Sequence, residues 1–226
     1  MDSGQVKQRL YDMGADLVGI AGMDRFDDAP EGYHPLDVFP GCRSVVVFAK
    51  RFLRATMDCG NTVPYTIVRN LLSSMMDEMS LRFCTEMEEA GIAAVPTGTN
   101  GPTMFDTRTQ RFRNVVSAKH CAQAAGLGTI GKNTLLITSE FGNMVWLSVI
   151  LTEAELEPDP LIEKSLCPSG CRLCLDACPI DAVGEPAMKQ TDCWNYAFGG
   201  VDGGEFIIRC NRCRAVCPMR YGVRGQ

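Results

Sequence analysis

Eight cysteines near the end of the chain have the type and spacing of iron ligands. Cys167, Cys171, Cys174 and Cys178-Pro179 form one run, Cys193 follows, and Cys210, Cys213 and Cys217-Pro218 form a second run. Two such runs, each closed by Cys-Pro, are the ligand pattern of a protein with two [4Fe–4S] clusters, in which the last Cys of each run ligates the other run's cluster. One cluster is therefore expected on Cys167, Cys171, Cys174 and Cys217, and the other on Cys193, Cys210, Cys213 and Cys178. A chain so equipped carries electrons or spends them in a reduction. Structural zinc also uses Cys-x-x-Cys pairs, but its motifs do not usually end in Cys-x-x-x-Cys-Pro. Disulfides require an oxidising compartment, to which the sequence shows no route. The first run opens Cys167-Pro-Ser-Gly-Cys171, one residue longer than the usual spacer, and a loop expansion there still delivers the Cys167 sulfur.

A second feature is the turn containing Gly126, Gly128, Gly131, Lys132 and Asn133. Glycines let a backbone approach an anion while a lysine supplies charge, but they serve a tight connection needing positive φ equally well. The G-x-x-x-x-G-K-S/T spacing of a phosphate loop is absent. Basic residues crowd two stretches: Arg108, Arg111, Arg113 and Lys119 in one, and Arg209, Arg212, Arg214, Arg220 and Arg224 around the second cysteine run. They read as solvated surface or as an offset to cluster charge, with an anionic ligand as the alternative.

These groups must be carried by a scaffold. Val6, Leu10 and Met13 predict a helix over residues 3–13, and Asp16 to Ala21 a short strand. Pro30, Pro35 and Pro40 punctuate a loop from Gly22 to Cys42. The β-branched run Ser44 to Ala49 predicts a buried central strand. From Pro64 to Ala90, apolar Val68, Leu71, Leu72, Met75, Met76, Met79, Phe83 and Met87 mark one face of a long helix that Gly91 stops. A strand is expected at Ile92–Val95, a helix from Val115 to Ala125, and strands at Thr134–Thr138 and Met144–Leu151. Acidic, proline-bearing residues 153–160 predict the boundary of two domains. Residues 1–157 would form an α/β (α+β) domain with a mixed sheet, and residues 158–226 a small ferredoxin-like domain for both clusters.

With 46% hydrophobic and 22% charged residues, the chain has an ordinary globular composition. Its N-terminus lacks a secretory layout, and no apolar run is long enough to cross a membrane, so a cytoplasmic protein is expected. A net charge of −5 argues against general nucleic-acid binding.

From Ala124-Ala-Gly-Leu-Gly-Thr-Ile-Gly-Lys-Asn-Thr-Leu-Leu136 through Phe141-Gly and Val149-Ile-Leu-Thr152 to the cysteine runs, the chain resembles the epoxyqueuosine reductase family. Pro40-Gly-Cys-Arg-Ser-Val-Val-Val47 resembles the family's early strand. The resemblance implies a cobalamin-dependent iron–sulfur reductase related to the reductive dehalogenases. Its core would resemble a nitroreductase-type α/β scaffold, with cobalamin over the N-terminal sheet and electrons arriving through both clusters. Gly126, Gly128, Gly131, Lys132, Asn133 and Arg113 would then be cofactor-binding, toward the corrin amides or an anionic substrate.

The chain departs from the family pattern at two places. The family's catalytic Asp precedes the Ala-Gly-Leu-Gly motif within a D-S/T-x-P-V-like segment. The corresponding Phe112-Arg-Asn-Val-Val-Ser117 holds no acid, which leaves Asp106 and Tyr65 as candidate proton donors. The family's Trp is replaced by Thr129, removing an aromatic surface that could flank a macrocycle. His34 and His120, the two histidines, lack the D-x-H-x-x-G context of cobalt ligation and are read as structural, so any cobalamin would be base-off. Cys42, Cys59, Cys84 and Cys121 lack ligand spacing, Trp146 is read as core, and Trp194 as a shield for the second cluster. Little sequence follows the second run, so with its acidic pI a tRNA substrate is not expected. A small molecule is, with electrons from a ferredoxin- or flavodoxin-type donor. The competing expectation is an electron-transfer module that docks a partner or binds flavin without chemistry of its own.

Overall fold

The structure, a computed structural model, describes residues 1–101, 103–107, 111–184, 188–200 and 206–223; Arg108 and Arg224 lie outside them. Along the chain run α1 (Ser3–Asp12), β1 (Leu17–Gly22), α2 (Pro35–Val38), β2 (Ser44–Arg51), α3 (Val63–Glu89), β3 (Ala94–Pro96), β4 (Met104–Asp106) and β5 (Arg111–Arg113). There follow α4 (Ala118–Ala124), β6 (Thr129–Ile130), β7 (Leu136–Ile137), β8 (Val145–Thr152), α5 (Leu173–Asp176), α6 (Gln190–Ala197), β9 (Phe198–Gly200), β10 (Phe206–Ile208) and α7 (Arg212–Ala215).

The central sheet has the order β1-β2-β8-β3. Every pairing in it is antiparallel, which corrects the expected mixed sheet. The β-branched run of β2 is buried because both faces of the sheet are covered, a situation more usual for parallel strands. Side chains alternate accordingly. Val46 and Phe48 pack with Val6 and Leu10 of α1 and Met76, Phe83 and Met87 of α3, while Val45, Val47 and Ala49 pack with Cys121 and Ala122 of α4. Removing a side chain the size of Phe48 or Ile150 from water contributes about 1.5–3 kcal/mol. Between α3 and β8 the buried hydroxyls of Ser80 and Ser148 satisfy one another at 2.8 Å.

The long helix falls where its spacing predicted, but its apolar face is wider than its buried one. Leu72, Met76, Met79, Phe83 and Met87 are buried, whereas Leu71 and Met75 are exposed. The acidic stretch at 153–160 is an ordered strap. Asp159 accepts from Ile20 N at 2.9 Å and pairs with Lys7 at 2.5 Å, and Leu156 N donates to Ser44 Oγ at 3.0 Å.

Residues 219–223 are bound closely to the segment between β7 and β8. Val223 N donates to Ser139 O at 2.9 Å, and Gly142, at φ +58°, lies against the backbone of Met219 and Arg220. A Cβ at Gly142 would collide with the Met219 carbonyl oxygen. Gly142→Ala is therefore expected to cost at least about 1–3 kcal/mol from backbone strain alone. Urea unfolding checks this; an unchanged midpoint would show that the contact is not needed.

Candidate functional site

The two cysteine runs adopt the same local structure. In each, one helical turn follows the first Cys of a Cys-x-x-Cys pair and contains the second: α5 holds Cys174 and α7 holds Cys213. Cys178 N then donates to Leu175 O at 3.1 Å, and Cys217 N to Arg214 O at 3.3 Å, turning the chain before proline. Proline suits this stop because it cannot continue a helix.

Cys167, Cys171, Cys174 and Cys217 line one small cavity with Lys132, Asn133, Ile137, Pro168 and Pro218. Three of these thiols come from the first run and one from the second. Burial pushes the Cys217 thiol up, and Cys167, Cys174 and Cys171 push it further. The other four cysteines also influence one another. Cys193 is raised by burial and then by Cys210 and Cys178. Burial pushes Cys213 up to about 11 against the opposing Arg214, with Cys193, Cys210 and Cys174 adding to the rise. Cys178 differs: burial raises it, but backbone N–H groups of Ile180, Val183 and Ala182 prevail and lower it, Ala182 N reaching Sγ at 3.2 Å. Among the described residues no three His, Cys, Asp or Glu side chains converge closely enough to hold a single metal ion. Four of the thiols, those of Cys167, Cys171, Cys174 and Cys217, line a common space.

The glycine-rich turn serves these loops. It forms the β6–β7 hairpin, in which Gly128 lies against the Ile137 carbonyl and Gly131 against the Ile137 side chain, while Gly126, at φ +72°, lies against Pro160. Lys132 Nζ donates to the carbonyls of Ser169 at 2.5 Å, Cys171 at 2.9 Å and Pro168 at 3.4 Å. Asn133 Nδ2 donates to Cys213 O at 3.2 Å. Lys132 thus ties down the expanded Cys167–Cys171 loop, and Asn133 secures the second run. Lys132→Met is expected to speed chelator removal of the first run's iron at least tenfold while leaving the second run's rate unchanged. Stopped-flow absorbance with a ferrous chelator separates the two phases.

A larger cleft, of about 380 Å³, opens between the sheet and the α6–β9 segment. Its lining includes Tyr33, Arg69, Phe112, Lys119, Asn143, Trp146, Gln190, Trp194, Phe198 and Arg214. Phe105, Phe112, Trp194, Phe198 and Phe206 form one aromatic row with successive centroids 5.1, 4.3, 4.5 and 5.6 Å apart. Both amide atoms of Asn143, Trp146 Nε1, Arg69 Nε and Arg214 Nη1 are buried without a hydrogen-bond partner among the described residues. Such atoms are costly unless something completes them.

Several expected site residues lie elsewhere. Lys132 and the three glycines do not line this cleft, and neither does Arg113, which donates to Gly32 O at 2.9 Å and covers the Tyr33 ring at 4.0 Å. Tyr65 is buried in the core, stacked on Phe52 at 5.0 Å, and Asp106 belongs to the β4–β5 hairpin. Neither lines the cleft. Thr129 accepts from Leu166 N at 2.9 Å rather than facing the cleft, so a ring lost there leaves the aromatic walls intact. Trp146 packs against the core as expected and also lines the cleft, as do Arg69, Asn143 and Lys119. His34 caps α2, accepting from Leu36 N, and His120 pairs with Ser117 at 2.6 Å.

The remaining cysteines are placed as expected of ordinary thiols. Cys84 and Cys121 are each pushed up to about 12 by burial, Cys42 is raised by the same cause, and Cys59 is exposed. Of these four, Cys59 is the one a solvent-borne reagent can reach. Iodoacetamide should label one cysteine in iron-loaded protein and up to eight more after chelation, as read by peptide mass mapping.

No family model matches the chain. An epoxyqueuosine reductase of Gloeobacter violaceus is 31% identical over 240 residues, covering 96% of this chain and 68% of that protein. One of Staphylococcus aureus is 25% identical over 276 residues, covering 99% and 67%. Among solved structures, epoxyqueuosine reductase from Streptococcus thermophilus superposes with a TM-score of 0.65 at 20% identity, over 97% of this chain and 66% of that one. A catabolic reductive dehalogenase superposes at 0.72 and 20% identity, over 97% of this chain and 32% of its own. The match thus spans about two thirds of some of these reductases and about a third of others, 29% of that of Listeria monocytogenes and 33% of that of Bacillus subtilis. Another solved epoxyqueuosine reductase is in complex with an epoxyqueuosine-modified tRNA stem loop, which runs against the expectation that tRNA is not a substrate. No helix among the described residues is long and apolar enough to cross a membrane. With one relative above 30% identity matched along nearly the whole of this chain, and reductase structures sharing its fold, the chain belongs to the epoxyqueuosine reductase family.

Proposed function

We propose that this protein is a reductase that takes electrons through two [4Fe–4S] clusters to a corrinoid in the cleft, for reduction of a small molecule. The observation that carries the reading is the set of buried polar atoms at Asn143, Trp146 and Arg214 without a partner among the described residues, in a cleft whose lining includes Arg214 of the second cysteine run. A macrocycle rimmed with amide side chains offers acceptors and donors to complete them. The cluster ligands would be Cys167, Cys171, Cys174 and Cys217 in one set and Cys193, Cys210, Cys213 and Cys178 in the other. Residues 1–157 would form the nitroreductase-like cofactor domain and residues 158–226 the ferredoxin-like one, with a ferredoxin or flavodoxin as donor.

When bound, the corrinoid supplies a reducible cobalt centre for bond cleavage. The chain's own residues do the rest. Asn143 and Trp146 would hold the ring through its amides. Phe112, Trp194 and Phe198 exclude water. Lys119 Nζ and the Tyr33 hydroxyl are ionisable donors on the lining, and burial, followed by Arg111, lowers the Lys119 pKa.

Anaerobic titration of the iron-reconstituted protein with cob(II)alamin tests this by electron paramagnetic resonance. A base-off cobalt signal at one equivalent is expected, since neither histidine lines the cleft. Cobalt unchanged from free solution, beside reducible clusters, would leave an electron-transfer module serving a partner or flavin. That second reading is favoured by one observation, that no carboxylate is among the cleft's lining residues. Turnover of an epoxyqueuosine-modified stem loop would replace the small molecule with tRNA.

A further inference from the structure

We infer that the cleft holds an oxyanion of its substrate, a carboxylate or phosphate, on Arg69 and Lys119. The inference deepens the function proposed above; it depends on that reading for the site but not for the cofactor.

The chain carries 27 acidic and 22 basic residues, yet the charged side chains lining the cleft are Arg69, Lys119 and Arg214. None forms an ion pair among the described residues. Arg69 lies 5.1 Å from the Trp146 ring centre and donates from Nη1 to Asn70 at 3.0 Å, while its Nε is buried and unpartnered. Lys119 Nζ has a carbonyl, Thr134 O, at 3.0 Å. Asp77 is the acid that the lining reaches, through Thr99, and Thr99 occupies both of its oxygens, at 2.8 and 3.1 Å.

Burial lowers the pKa of both Arg69 and Lys119. Desolvating a cation without a counter-charge is expensive. A fold keeps such an arrangement where a bound anion completes it, and the guanidinium fork suits two oxygens. Arg214 has a second task beside Cys213, lowering that thiol's pKa. Unlike Arg214, neither Arg69 nor Lys119 is among the charges that shift the thiols of Cys174, Cys178, Cys193, Cys213 and Cys217. The aromatic wall of Phe112, Trp194 and Phe198 adds a place for a planar group beside the charge.

The same oxyanion chemistry has two sources, an acidic substrate or the phosphate in the nucleotide tail of cobalamin. Calorimetric titration of the iron-reconstituted protein with benzoate, phenyl phosphate and neutral benzamide tests the inference. Parallel titrations compare cob(II)alamin with cobinamide, which lacks the tail phosphate. At least one anion should bind about tenfold or more tightly than benzamide, and Arg69→Gln and Lys119→Gln should each remove most of that preference. Both corrinoids should respond alike to each variant. Arg69→Lys should recover part of the anion preference, and iron content reports whether each variant has folded.

Equal binding of charged and neutral probes, or none, overturns the inference. So does a loss confined to cobalamin and not cobinamide, which assigns the charge to the tail phosphate. Anion preference without corrinoid binding would overturn the cofactor reading and leave this one standing; corrinoid binding without anion preference would do the reverse.

Discussion

Replacing Cys217 with Ser is expected to halve the iron bound per chain, and adding Cys171→Ser is expected to remove no more. Cys217 lies in the second run by sequence, but in the structure its thiol lines a cavity with the three thiols that open the first. If these four hold one cluster, either substitution destroys the same cluster and the double variant repeats the single. If each run held its own cluster, the double variant would lose nearly all its iron. Metal analysis with absorbance near the thiolate-to-iron bands decides between them. The complementary pair, Cys178→Ser with Cys193→Ser, should behave in the same way for the other set. Urea midpoints provide a control, since Cys217 is also buried and a general loss of fold would lower both clusters together.

Asn143→Leu is expected to raise the stability of corrinoid-free protein while weakening corrinoid binding at least tenfold. Asn143 is 1% exposed, and neither its amide oxygen nor its nitrogen has a partner. An unsatisfied buried polar group costs about 1–3 kcal/mol, so an apolar side chain of similar size removes that cost. The opposite signs are the signature of a residue kept for a ligand rather than for the fold. Urea unfolding without corrinoid, followed by cob(II)alamin titration of the same preparation, measures both. If the substitution lowers stability and leaves affinity unchanged, Asn143 is a structural residue and the cleft loses its main support as a corrinoid site.

Much of the scaffold was legible in the residues. The spacing of Met76, Met79, Phe83 and Met87 gives a helix wherever it occurs, because residues three and four apart share a face. The alternation of Val45 to Ala49 likewise yields a strand with two apolar faces. The cysteine spacing carried the local structure of each run, a short loop followed by one helical turn. These are local properties, determined over a few residues of chain, and the sequence by itself contains them.

The sequence did not contain what depends on distant segments meeting. Whether β2 pairs in parallel or antiparallel fashion, and which side of α3 is covered, depend on neighbours remote in the chain; hence the mixed sheet was wrong and Leu71 and Met75 are exposed. The glycine-rich turn looked like a cofactor loop, and only its packing shows Lys132 gripping the carbonyls of residues 168–171. The cleft is the extreme case. Arg69, Lys119, Asn143, Trp146 and Trp194 come from four helices and strands and one turn, with no shared period or motif. Their common property, polar and aromatic groups left incomplete along one cleft, exists only when tertiary packing removes water from them.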